Sequence, residues 1–182
     1  AGNALATHDL EGAYLKTALG QDIYTQRSVP NGHYNHLDLI NRVKLHGSIR
    51  AFIANEHIDN GIIYSCEKCG VPYVLGGSIR DDGPLPPVFG NVYEAQDAMR
   101  DQIRGATTVI AMATMLHTIA TGNMTPSFRV MSDGTVRQVY FYCVDVSEFV
   151  VNKLADRGSL SAKGIVTNVQ DFVVNLQKGL GL

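Results

Sequence analysis

The chain is poor in the features that would commit it to a membrane, a nucleic acid or an oxidising compartment. No apolar run approaches the roughly 20 residues needed to span a bilayer. The first residues carry neither the basic nor the apolar region of a signal peptide. With a formal net charge of −2, there is no excess of positive charge to attract nucleic acid or an anionic membrane surface. Three cysteines are too few, and odd in number, for a disulfide framework, so a reducing cytoplasm is expected. A GxGxxG fingerprint is also missing, which removes the ordinary motif argument for a dinucleotide. What remains is a chain of 182 residues, 45% hydrophobic and 18% charged, with the length and balance of one globular domain.

Chemistry concentrates in Gly76-Gly77-Ser78-Ile79-Arg80-Asp81-Asp82-Gly83-Pro84-Leu85-Pro86. The apolar run before it, residues 71–76, has the pattern of a buried strand, and residues 91–104 after it read as a helix. A strand-to-helix loop of an open α/β sheet lies where such folds bind ligands. Here the glycines allow close backbone approach, and the prolines restrict the loop. Arg80 sets one fixed cation beside the carboxylates of Asp81 and Asp82. A surface turn with a local Arg–Asp pair is the plainer alternative.

Elsewhere the spacing predicts helices at 9–19, 36–45, 49–60 and 62–69, with Thr7 and Ser48 as caps and Gly20, Gly47, Asn60-Gly61 and Gly70 as stops. Asp9 and Glu11 read as first-turn acids. Residues 20–35 read as a long polar connection. From Val71 onward, strands alternate with helices. Strands are expected at 71–76, 107–112, 128–131, 136–144 and 164–167, and helices at 91–104, 147–155 and 169–178, with a turn or helix at 114–121. Asp133-Gly134 signals a hairpin. This alternation predicts an α/β fold with a parallel sheet, helices on both faces and an inserted hairpin near 128–140. Ala1 to Leu5 reads like the end of a strand entering a loop, which suggests a single domain over 1–182 forming the C-terminal part of a longer polypeptide.

Several residues stand where such a fold does chemistry. Asp145, ending an apolar strand, either accepts ribose hydroxyls or caps the helix that follows; that helix could also receive a phosphate at its N-terminus. Thr114 and His117 follow the strand at 107–112, close to the edge expected for Arg80. His117 suits proton transfer, although a lone histidine is more often simply packed. Asn3, His8 and Asp9 form a third strand-end cluster. Cys66-Glu67-Lys68-Cys69 lacks a second CxxC or a His pair, and it closes a helix rather than opening one, so no metal or redox site is assigned. His33 and His36 are an equally weak metal signal.

Taken in order, Gly2-Asn3-Ala4-Leu5-Ala6-Thr7-His8-Asp9, Gly77 to Pro86, Met115-Leu116-His117, Gly122-Asn123-Met124, Val144-Asp145-Val146 and Asp156-Arg157-Gly158-Ser159 resemble one family. It is the LOR/SDH conserved-domain family: the NAD-binding C-terminal domain of archaeal ornithine cyclodeaminases and of cyanobacterial arginine dihydrolase–ornithine cyclodeaminases. The likeness covers nearly the whole chain. It departs in a longer segment from Ser127 to Gln138 and in Val146-Ser147-Glu148, where Ile-Asn-Pro is usual.

The resemblance implies a Rossmann-like, three-layer sheet of the deoxyhypusine-synthase NAD-binding type, an N-terminal domain in the same polypeptide, a homo-oligomer and a cytoplasmic location. It implies NAD as cofactor, an amino-acid substrate, and conversion of ornithine to proline and ammonia with hydride borrowed and returned. On that footing Arg80 pairs with the substrate carboxylate, Asp81 or Asp82 receives an ammonium, and His117 or His8 moves protons. Asn3, Gly77, Ser78, Thr114, Asn123 and Asp145 are the expected cofactor residues, with Asp145 on a ribose. Two alternatives are another NAD-linked amino-acid oxidoreductase of saccharopine-dehydrogenase type and a non-catalytic NAD-binding module of a larger enzyme.

Overall fold

A computed structural model describes residues 1–77, 84–155 and 162–182. The Arg80-Asp81-Asp82 triplet, Ser78 and the Asp156-Arg157-Gly158-Ser159 motif therefore lie outside the described residues. The chain divides into two compact units, Ala1–Gln96 and Asp97–Leu182.

The first unit is built on helix α1 (Asn3–Leu15), which starts six residues earlier than its spacing predicts. Its interior face mixes Ala6 and Leu10 with Asn3, Thr7 and Glu11, all buried, so its apolar residues do not trace one stripe. This displaces two expectations. Thr7 is no cap but a buried residue whose hydroxyl donates to the Asn3 carbonyl at 3.1 Å. Glu11 is no first-turn acid but lies in mid-helix, fully buried.

The helix ends at Lys16, and Thr17–Ala18 (β1) pairs antiparallel with Gln21–Asp22 (β2). Leu19 and Gly20 both take positive φ between them, the backbone of a type I′ hairpin turn. The predicted polar connection thus contains a small hairpin and a single 3₁₀ turn at Gly32–Tyr34.

Helices α2 (Asn35–His46), α3 (Ile49–Asn55) and α4 (Ile62–Cys69) follow. Ser48 caps α3 as predicted, accepting the Ala51 N–H at 3.1 Å. α3 stops well short of Asn60, and His57 turns left-handed just beyond it. Leu10, Leu39, Val43, Ile49 and Phe52 form the centre of this unit's apolar core. Asp9 is a cap across space: its two carboxylate oxygens accept the N–H groups of Ile62 and Ile63, at 2.9 and 2.8 Å, at the start of α4. Gly61 makes room for it, since a Cβ there would lie 2.9 Å from an Asp9 oxygen and the φ is +108°.

The expected strand at 71–76 forms no ladder. Only Gly76 pairs, in parallel bridges to Gly2 on one side and Phe89 on the other. Even so, the arrangement brings the start of α1 beside Gly76, and the Asn3 N–H donates to the Gly76 carbonyl at 2.9 Å.

The unit boundary falls within helix α5 (Val92–Ile103). The second unit holds a parallel sheet in the order β3 (Thr108–Met112), β6 (Tyr140–Asp145), β7 (Ala162–Val166). Helix α6 (Met115–Met124) follows β3. Then β4 (Phe128–Val130) and β5 (Val136–Gln138) form the expected antiparallel hairpin around Asp133-Gly134. The predicted strand 136–144 is really two. The chain leaves the hairpin at buried Val139, and Tyr140 begins pairing with Thr108 in the parallel sheet.

Helix α7 (Glu148–Ala155) packs on β6 and β7, and α8 (Val169–Leu180) closes the chain. The α7–β7 packing is close: a Cβ on Gly164 would clash with Val151 Cγ1. Among the described residues, no helix is long and apolar enough to cross a membrane.

Two substitutions test these contacts. Asp9→Ala is expected to lower unfolding free energy by about 1–2 kcal/mol through loss of the α4 cap. Gly164→Ala is expected to cost about 1–3 kcal/mol by overpacking. Urea denaturation of each variant against the parent checks both.

Candidate active site

Parallel strands end together, and in the second unit that shared carboxyl edge gathers the predicted residues. β3 leaves the sheet at Ala113, whose N–H donates to the Val144 carbonyl at 3.0 Å. Ala113 takes a φ of +54°. A left-handed alanine is disfavoured, and such backbone is often retained where a turn must aim a functional group. The group delivered is Thr114, which precedes α6. Its hydroxyl lies 3.2 Å from His117 Nδ1, and its carbonyl accepts from the Thr118 hydroxyl. His117 is half-buried, and burial pushes its imidazole below its usual pKa, favouring the neutral ring.

Asp145 stands at the tip of the middle strand. Its Oδ1 accepts the Ser147 N–H at 2.8 Å, while its backbone carbonyl accepts the Thr167 N–H from the end of β7 at 3.0 Å. One oxygen thus closes a local turn just before α7 rather than capping that helix, whose Val150 N–H is taken by Ser147 Oγ. The other meets no donor among the described residues. The helices beyond this edge are also set up locally. Ser147 Oγ accepts the Val150 N–H at the start of α7, and Asn168 accepts the Gln170 N–H at the start of α8. Asn123, by contrast, sits at the far end of α6 and is exposed, some eight residues along the helix from Met115.

In the first unit, Asn3 and Gly77 hold the two sides of residues 78–83. The Gly77 N–H donates to the Phe89 carbonyl at 3.0 Å. Asn3 is fully enclosed, and its Oδ1 accepts the Leu85 N–H at 2.9 Å, so it grips the chain just after that segment. His8, in the second turn of α1, is about a third exposed, with Nδ1 3.0 Å from Glu11 Oε2. Asp9, which the sequence clusters with Asn3 and His8, is committed to the α4 cap.

Sequence reasoning did not single out Glu11 or Ala113. Glu11 carried a signal, since His8 and Glu11 stand at i, i+3 once the helix is known to begin at Asn3. Ala113 carried none, because nothing in its type announces a left-handed backbone. Cys66 and Cys69 are free thiols on α4, and burial pushes the Cys66 thiol up, against thiolate chemistry.

The parallel α/β edge defines a ligand-binding domain of the Rossmann class. A family model, the C-terminal Rossmann-fold domain of arginine dihydrolase ArgZ-like proteins, matches residues 1–176, and the chain belongs to that family. An ornithine cyclodeaminase of Methanocaldococcus jannaschii is 47% identical over 180 residues, covering 99% of this chain and 40% of the relative. The bifunctional arginine dihydrolase/ornithine cyclodeaminase ArgZ of Synechocystis is 43% identical over 181 residues, covering 98% of this chain and 24% of that protein.

Among solved structures, a LOR/SDH protein of Methanococcus maripaludis superposes with a TM-score of 0.86 at 43% identity, covering 99% of this chain and 51% of that one. The complex of AgrE with ornithine and NAD⁺ gives 0.86 at 39% identity, covering 99% of this chain and 25% of that one. The chain thus spans about two fifths of the archaeal relatives' length. The expected Rossmann-like α/β class and the family resemblance both hold.

The depressed His117 pKa has a stability consequence. In the unfolded chain the ring protonates near its ordinary value of 6.5, whereas the folded chain takes that proton only at lower pH. Between the two values the unfolded state binds more protons, so stability falls as pH drops through that window. His117→Gln is expected to flatten the loss of thermal stability between about pH 7 and about pH 5. Thermal melts across that range check it; a variant as pH-sensitive as the parent contradicts it.

Proposed function

We propose that this chain is the NAD-binding domain of an ornithine cyclodeaminase, acting with the rest of such a polypeptide to convert L-ornithine to L-proline and ammonia. The observation that carries the reading is the match along 99% of the chain to AgrE, solved with ornithine and NAD⁺. The local geometry fits the cofactor. An aspartate at the carboxyl tip of the middle parallel strand, with one oxygen that meets no donor among the described residues, suits ribose hydroxyls. NAD, when bound, supplies the acceptor and later donor of the hydride at the ornithine α-carbon, so the reaction has no net redox change.

The chain's own residues then bind, orient and move protons. In the second unit, Asp145 holds a ribose, Thr114 and Asn123 contribute cofactor contacts, and His117, kept neutral by burial, is a proton acceptor. In the first unit, Gly77 and Ser78 contribute backbone groups to the cofactor, and the enclosed Asn3 serves it by holding the chain at Leu85. Arg80 pairs with the substrate carboxylate as a fixed two-pronged donor. Asp81 or Asp82 receives an ammonium group. His8 is the second proton carrier.

The partners belonging to this reading are the N-terminal domain of the same polypeptide and further copies of the chain, in the cytoplasm. Helix α8, which leaves Val173, Val174, Leu176 and Leu180 exposed, supports an assembly.

Ornithine deuterated at the α-carbon tests the reaction. The full-length protein is expected to yield proline that keeps the deuterium at C2, with one ammonia per turnover and no build-up of NADH. Accumulating NADH would instead mark a dehydrogenase, and cofactor binding without turnover a non-catalytic module. Arg80→Ala is expected to raise the ornithine KM by about 10- to 100-fold, the scale of a lost charge-assisted pair. An unchanged KM in steady-state assays would remove that assignment.

A further inference from the structure

Glu11 is a fully buried carboxylate in the middle of a helix. Its two oxygens are divided between two partners. Oε1 accepts the Thr17 hydroxyl at 2.8 Å, and Oε2 lies 3.0 Å from His8 Nδ1. The direction of the first bond is fixed from outside, because Asn35 Nδ2 donates to Thr17 Oγ1 at 2.7 Å and so leaves the hydroxyl proton for Glu11. The carboxylate is thus anchored to β1 and, through Asn35, to the first residue of α2.

The His8 ring sits on the other side of it, about a third exposed where Glu11 is enclosed. Among the described residues His36 also faces this ring, with its ring centre 6.3 Å from that of His8. Burying a carboxylate gains little stability over an apolar side chain of similar volume. Packing alone therefore does not account for a glutamate here.

We propose that Glu11 is a positioning residue: it holds His8 in the tautomer with the proton on Nδ1, leaving Nε2 to accept a proton from the ammonium of the substrate. The proposal rests on the cyclodeaminase reading. An ammonium has no lone pair, so hydride cannot leave the neighbouring carbon until one N–H bond breaks. In that step the substrate N–H bond breaks and an Nε2–H bond forms. The resulting imidazolium faces the Glu11 carboxylate, which compensates its charge. Before ring closure the δ-ammonium gives one proton to water and its lone pair attacks C2. The new ring nitrogen then gives a proton to water, the proton on Nε2 passes to the α-nitrogen and the C2–Nα bond breaks, so ammonia leaves neutral and His8 returns to its starting form. A buried carboxylate behind an imidazole performs this orienting task in other proton-transfer sites.

The test is a double-mutant cycle on the full-length protein, with ornithine turnover and ornithine KM as readouts. Glu11→Gln is expected to lower kcat by about 100-fold with KM changed less than about threefold. In a His8→Ala background, Glu11→Gln is expected to change kcat by less than about twofold, because its effect passes through His8. Parental kcat in Glu11→Gln, or an equal loss in both backgrounds, overturns the proposal while leaving the cyclodeaminase reading intact. A parent protein that produces no proline from ornithine overturns both. Should Glu11→Gln not fold, nitrogen NMR of the His8 ring in the parent decides. A proton on Nδ1 with Nε2 bare is expected, and the opposite tautomer overturns the assignment.

Discussion

Parallel strands cannot be joined by tight turns, because each must return to the same end before pairing with its neighbour. That constraint organises the second unit. β3, β6 and β7 run the same way, so the chain leaves all three at one edge, at Ala113, Asp145 and Thr167. The ladder itself ties these exits together, through Ala113 to the Val144 carbonyl and Thr167 to the Asp145 carbonyl. Side chains carried by the exits are fixed by backbone pairing rather than by flexible loops, as a site that must hold a cofactor requires. Even the left-handed Ala113 follows, since the chain must turn sharply from strand to helix to present Thr114 and His117.

The first unit solves a different problem. α1 carries more polar residues inward than a helix of its length usually buries, and each is given a task. Asn3 grips Leu85, Asp9 caps α4, and Glu11 holds Thr17 and His8. Buried polar groups are costly unless paired, so these pairs also fix how α1 sits against its neighbours. The same helix thus steadies the chain beside residues 78–83 and carries an imidazole, about a third exposed, backed by a carboxylate. Stability and the candidate chemistry draw on the same hydrogen bonds.

Much of this was legible before any coordinates. The alternation after Val71, the Asp133-Gly134 hairpin, the Ser48 cap and Asp145 at a strand tip all follow from local pattern. What was not legible depends on long-range pairing. Residues 71–76 look like a strand, but among the described residues Gly76 alone is bridged, to Gly2 and Phe89. Residues 136–144 look continuous, but Val139 is where the chain changes sheets. The spacing places the start of α1 at residue 9 because its buried face is partly polar, and Glu11 then reads as a first-turn acid. Periodicity reports which residues prefer burial; it does not report a buried carboxylate whose partners lie on other elements.

The central claim is that the carboxyl edge led by Asp145 receives the ribose of NAD. A calorimetric titration of the full-length protein with NAD⁺ and, separately, NADP⁺ tests it most directly. An aspartate on the ribose hydroxyls repels a 2′-phosphate, so the account predicts binding of NAD⁺ with clear preference over NADP⁺, and loss of that preference in Asp145→Ala. Equal or tighter binding of NADP⁺, or a preference that survives removal of Asp145, would contradict it.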